Sequence, residues 1–150
     1  MTVVFVCTGN TCRSPMAAAV LRQRLDALGR EDVTVLSAGL AASTGEAAHP
    51  LARAALAALG IKAQRHAAER LSTDLVRRAD WILTMTAAQA AEIRRRWPDA
   101  AANVAALGAY SRAGHDIRDP WGGTERDYLR ALAEISEAID AWMAAGHLDA

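Results

Sequence analysis

The sequence predicts an α/β fold, a single domain spanning residues 1–150 around a parallel sheet, and three observations carry that reading. Four short apolar runs, at residues 3–6, 33–36, 81–85 and 104–107, have the length and content of strands buried on both faces. Helical apolar patterns alternate with them, which demands crossover connections and helices on both sides of the sheet. No repeat, linker or low-complexity tract interrupts the chain, and 150 residues suit one domain with a proper core.

The elements follow in order. After the run Val3-Val4-Phe5-Val6, Pro15 fits a first helical turn, where its missing amide hydrogen costs nothing. Leu21, Leu25 and Leu28 then share a face as far as Gly29. Beyond the second run, Leu51, Ala55, Leu56 and Leu59 repeat the pattern, closed by Gly60. Trp81 opens the third run, and Thr86 with Gln89 makes a capping box for a helix that stops before Pro98. Past the fourth run, Thr124 and Asp127 suit a capped start. Leu132, Ile135, Ile139, Trp142 and Met143 form the stripe of the last helix. Trp81 and Trp142 are expected in the core.

Composition narrows the function classes. The apolar fraction is 52%, much of it alanine, and aromatics are 5%, which favours a helix-rich domain. Lysine plus arginine and aspartate plus glutamate both number 17, so no global basic surface argues for nucleic acid. The first apolar run is too short for a signal peptide or a membrane span. Cys7 and Cys12 lie in one loop, which is no stapling framework, and the chain reads as reduced and cytoplasmic.

That loop carries the chemistry. Cys7-Thr8-Gly9-Asn10-Thr11-Cys12-Arg13-Ser14 leaves the first strand at the carboxyl edge of the sheet, where ligands of such folds sit. Amides wrapping into a helix N-terminus point at whatever the loop encloses, and the helix dipole adds partial positive charge. Gly9 is expected to allow a turn that a side chain would obstruct, and Asn10 tolerates left-handed geometry. The planar fork of Arg13 can hold two phosphate oxygens. The same fields favour ionisation of Cys7, with Ser14 placed to support the thiolate, so the loop binds phosphate beneath a built-in nucleophile. Asp119, in Asp119-Pro120-Trp121, is the candidate proton donor to a leaving group and later acceptor from water. Trp121 offers a flat wall for a substrate side chain, or else belongs to the core.

Cys7 through Pro15, with Asp119-Pro120 far downstream and Ser37-Ala38-Gly39 after the second strand, resembles the low-molecular-weight protein tyrosine phosphatase family. The resemblance covers essentially the whole chain. It implies a four-stranded parallel sheet flanked by helices, with no metal and no cofactor. It implies Cys7 as nucleophile, Arg13 as phosphate clamp and Asp119 as general acid and base. Thr8 to Ser14 are then the phosphate cradle, with Asn10, Ser14, Ser37 and His66 supporting the loop. A phosphorylated protein is the expected substrate, inorganic phosphate the product, and the molecule is expected to be a monomer without nucleic-acid or membrane partners.

Two positions depart from the commonest tyrosine-phosphatase pattern, and both resemble the bacterial protein arginine phosphatase branch. Thr11 stands where an aliphatic residue is usual, and Trp121-Gly122-Gly123 where two consecutive aromatics are common. The Thr11 hydroxyl suits a polar guanidinium, and Trp121 can stack on it. A guanidine nitrogen is also a more basic leaving atom than a phenolate oxygen, and so needs the Asp119 proton more. Phosphoarginine is therefore the favoured substrate, with phosphotyrosine the alternative.

Other readings stay beside these. Arsenate reductase shares the loop and fold, but relays oxidation through downstream cysteines, and no cysteine follows Cys12. An oxyanion-binding module would need neither nucleophile nor acid. Cys12 reads equally as packing or as a redox partner that closes a reversible disulfide with Cys7. Peroxide inactivation that a thiol reagent fails to reverse would count against the disulfide. His49, His115 and His147 have no ligand spacing and are expected on the surface or in loops.

Overall fold

The computed structural model describes residues 1–149. Strands β1 (Thr2–Cys7), β2 (Thr34–Gly39), β3 (Trp81–Thr84) and β4 (Asn103–Ala106) form one parallel sheet in the order β2-β1-β3-β4. Helices α1 (Arg13–Ala27), α2 (Pro50–Ala58), α3 (Thr73–Arg78), α4 (Ala87–Arg96) and α5 (Glu125–Ala144) connect and cover it. The expected class and strand count hold. A strand buried on both sides must be apolar at consecutive positions, and β1 is: Val3, Val4, Phe5 and Val6 are all fully buried. Val3 and Phe5 pack with α1, α2 and α5 on one face, and Val4 and Val6 with α3 and α4 on the other.

Three expectations are corrected. The second strand runs to Gly39, since β1 pairs Cys7 with Gly39 in register; polar Ser37 broke the apolar run that was expected to mark the strand. The short helix α3, capped by the Ser72 hydroxyl on the Leu75 amide at 3.2 Å, gave no readable period in six residues. Leu28 and Leu59 are 62% and 53% exposed, because each falls past the last helical turn; Ala17, Met16 and Ala52 take their places inside.

Both expected capping boxes form, Thr86 with Gln89 and Thr124 with Asp127. The Thr124 amide and hydroxyl hold Asp127 below the usual carboxylate range. A depressed carboxylate stabilises the fold above its unfolded value, so this cap weakens as pH falls through the folded one. On α5, Leu132, Ile135, Ile139 and Trp142 are fully buried as expected, and Tyr128 extends the stripe backwards. His49 lies in a loop, as expected, and is half-buried; His147, expected on the surface or in a loop, is half-buried in a 3-10 turn after α5. His49 caps α2, its Nδ1 accepting from the Leu51 amide at 3.1 Å, and stacks on Tyr128 at 5.2 Å. His147 packs against Trp81, Tyr110 and Trp142 with ring centroids 4.5 to 5.9 Å apart. No helix among the described residues is long and apolar enough to cross a membrane.

Candidate active site

The loop between β1 and α1 is organised by one side chain. Asn10 is fully buried with φ 56°, the left-handed geometry expected of it, which turns its amide inward. Its Nδ2 donates to Ser14 Oγ at 2.8 Å and Ser37 Oγ at 3.0 Å, and its Oδ1 accepts the Glu69 amide at 2.9 Å. Both amide hydrogens and the carbonyl oxygen are thus used, which fixes the orientation of the side chain. His66 closes the outer side, its Nε2 lying 2.6 Å from the Asn10 carbonyl oxygen. Loop support therefore gathers Asn10, Ser14, Ser37 and His66 at one point.

Two hydrogen-bonding groups meet the Cys7 sulfur. The Asn10 amide donates to Sγ at 3.3 Å. Ser14 Oγ, already an acceptor from Asn10, lies 2.9 Å from Sγ and within 3.5 Å of the Ala38 carbonyl, the only pure acceptor of the two. Cys12 sits differently. Burial pushes its thiol up, only partly offset by bonds to Tyr128 (3.4 Å) and Thr11 (3.7 Å), so it keeps its proton at neutral pH. The two cysteines share a loop but only Cys7 is surrounded as a nucleophile is.

Arg13 is buried on the first turn of α1; it donates from Nη1 to the Ile117 carbonyl at 2.9 Å, and Nη2 lies 3.6 Å from Asp119 Oδ2. The acid loop is held by several anchors. Ile117 is buried and its amide donates to the Met85 carbonyl at 2.9 Å, Asp116 accepts the Ala87 amide at 2.9 Å, and Asp119 Oδ1 accepts the Trp121 amide at 3.1 Å. Gly108 is required there, because a Cβ at that position would collide with the His115 carbonyl. Trp121 is 71% exposed, so it is no core aromatic. Together, Cys7, Thr8, Gly9, Thr11, Cys12, Arg13, Asp119 and Trp121 line one cleft of about 240 Å³, joined by Glu46.

Gly9 is a correction. A Cβ there would meet nothing nearer than Thr11 Oγ1 at 3.7 Å, an ordinary contact, and the tight turn falls at Asn10 instead. The glycine that the loop does need is Gly39, where a Cβ would lie 2.6 Å from the Thr8 carbonyl and 3.0 Å from the Asn10 amide. Gly39→Ala is expected to displace the loop, cost about 1–3 kcal/mol of stability and lower turnover disproportionately. Denaturant unfolding alongside steady-state kinetics checks this, and wild-type values for both would contradict it.

Sequence reasoning also missed Gln89, Ile117 and Glu46. Gln89 was legible as a cap, yet its Nε2 also donates to Thr8 Oγ1 at 3.2 Å while Oε1 accepts the Met85 and Thr86 amides, both at 3.0 Å. It ties the β3–α4 turn to the phosphate loop. No local pattern signals a contact 81 residues away. No group of three or more His, Cys, Asp or Glu among the described residues could hold a metal ion.

Known proteins are similar to this one over nearly the whole chain. The family model for low molecular weight phosphotyrosine protein phosphatase matches residues 2–149. The probable low molecular weight protein-tyrosine-phosphatase EpsP of Ralstonia solanacearum is 42% identical over 142 residues, 95% of this chain and 93% of that protein. The protein-arginine-phosphatase of Geobacillus stearothermophilus is 37% identical over 139 residues, 92% and 90% of the two chains. Among solved structures, the YwlE arginine phosphatase with a phosphorylated active-site serine in place of cysteine superposes with a TM-score of 0.88 at 34% identity, covering 97% of this chain and 95% of that one. The chain thus belongs to the low molecular weight phosphotyrosine protein phosphatase family.

Proposed function

We propose that this phosphatase acts on phosphoarginine side chains of proteins, through a phosphocysteine formed on Cys7. The observation that carries the reading is the convergence of Cys7 and Arg13, from the two ends of one loop, with Asp119, from a segment more than a hundred residues away, on one cleft. The Cys7 thiolate attacks phosphorus in line; the bond to the leaving nitrogen breaks, and Asp119 gives that nitrogen its proton. Loop amides from Thr8 to Ser14 and the Arg13 fork hold the three non-bridging oxygens as charge develops. Asp119 then takes a proton from water as it attacks, the sulfur–phosphorus bond breaks, and inorganic phosphate leaves. Asn10, Ser14, Ser37 and His66 keep the loop in shape for both steps.

Thr11 and Trp121 support arginine as the phosphorylated residue. Thr11 brings a hydroxyl rather than an aliphatic surface to the cleft, and the exposed Trp121 stands as a single stacking face. The similarity to a Geobacillus arginine phosphatase points the same way. Phosphotyrosine is the second reading, favoured by the higher identity to EpsP. Turnover of matched phosphoarginine and phosphotyrosine peptides decides between them, and a strong tyrosine preference would end the arginine reading. Thr11→Ile is expected to move the ratio toward tyrosine by about tenfold, the effect of one repacked pocket contact. An unmoved ratio would clear Thr11 of any part in selection.

A further inference from the structure

The cleft has an outer lip that the reaction does not use. Its lining holds three charged side chains, Arg13, Asp119 and Glu46. Arg13 is buried and occupied by the Ile117 carbonyl and Asp119, on the floor where the phosphoryl group sits. Besides Arg13 and the proton donor Asp119, the lining therefore carries one charged side chain, Glu46. Once a phosphoryl dianion fills the floor, the negative field beside Glu46 strengthens.

Glu46 is exposed, yet its position is fixed. Its carbonyl accepts the Ala68 amide at 2.7 Å, the neighbouring Gly45 amide donates to the Ala68 carbonyl at 2.8 Å, and its own amide donates to the Ser43 carbonyl at 3.2 Å. Ala68 lies between His66 and Glu69, the two residues that hold the backbone carbonyl and side chain of Asn10. At the far end of the same segment, the His49 amide donates to the Thr11 carbonyl at 2.9 Å. The segment bearing Glu46 is thus tied to the phosphate loop at both ends. Among the described residues, the Glu46 carboxylate itself forms no ion pair and accepts no hydrogen bond, so it is free for a ligand.

We propose that Glu46 is a specificity-determining residue that favours substrates carrying a basic side chain next to the phosphorylated residue. The proposal rests on the phosphatase reading above, and it holds whether the phosphorylated residue is arginine or tyrosine. A lysine or arginine at the lip gains Coulomb attraction from Glu46 with little desolvation, while an acidic neighbour meets Glu46 and a bound dianion. Arg118 and Arg130 line an adjoining cleft that shares Asp119 and Trp121 with this one but not Glu46.

The test compares kcat/KM for phosphopeptide pairs that differ only in having arginine or glutamate beside the phosphorylated residue. Wild type, Glu46→Gln and Glu46→Lys are each normalised to their own rate on 4-nitrophenyl phosphate. Wild type is expected to prefer the basic neighbour about three- to tenfold, the worth of a rim charge pair. Glu46→Gln should bring the ratio near one, Glu46→Lys should reverse it, and the wild-type preference should shrink in high salt. Equal ratios in all three proteins overturn the proposal. So does a change confined to arginine against tyrosine, which would place Glu46 on the phosphorylated side chain itself. If wild type leaves 4-nitrophenyl phosphate intact, the phosphatase reading fails and this inference with it; if that substrate turns over without any neighbour preference, only the inference fails.

Discussion

Cys7→Ser is expected to lower kcat by at least about four orders of magnitude while the fold persists, the scale seen when a covalent nucleophile is removed. The Asn10 amide and the Ser14 hydroxyl are arranged to stabilise a sulfur anion. A serine hydroxyl in the same place stays protonated at neutral pH, so the same donors have no charge to stabilise. Any serine that is phosphorylated is also trapped, since its oxygen leaves phosphorus far less readily than sulfur. Turnover of an aryl phosphate, with circular dichroism to confirm folding, checks this. Retention of even a few per cent of wild-type activity would mean that Cys7 is not the attacking atom.

Asp119→Asn carries the second large effect, and its size depends on the leaving group. General acid catalysis contributes roughly 10²–10⁴-fold, most where the leaving atom is most basic. Asp119 Oδ2 sits 3.6 Å from Arg13 Nη2, in the cleft that Cys7 also lines. In kcat/KM, which reports the first step alone, the variant should therefore lose little on 4-nitrophenyl phosphate, whose leaving group needs no proton. It should lose about a hundredfold or more on phosphotyrosine and still more on phosphoarginine. A uniform loss of kcat/KM across the three substrates would show that Asp119 positions the loop instead of moving a proton to the leaving group.

The parts of this protein that local rules govern could be read from the sequence. Fully apolar β1, the two capping boxes and the alternation of strands with helices each follow from spacing within a few residues. The segment from Cys7 to Ser14 was legible for the same reason: its geometry is local, and Asn10 takes the backbone conformation that its side chain permits. What stayed hidden depends on contacts far along the chain. Gln89 reaches Thr8 only because β1 and β3 are neighbours, and Gly39 matters only because β2 delivers it beneath Thr8. His147 could not be placed before the end of α5 was known to return to Trp81. Glu46 had no motif around it; its place at the cleft follows from the pairing of its segment with Ala68.

The account turns on a phosphoryl group passing through sulfur. Rapid mixing of the Asp119→Asn protein with 4-nitrophenyl phosphate, followed by an acid quench and mass spectrometry of the Cys7 peptide, tests this most directly. Without the carboxylate to activate water, the second step is slow, and the account predicts a burst of one nitrophenolate per active site with one phosphoryl group on Cys7. Steady turnover with no burst and an unmodified Cys7 would contradict it.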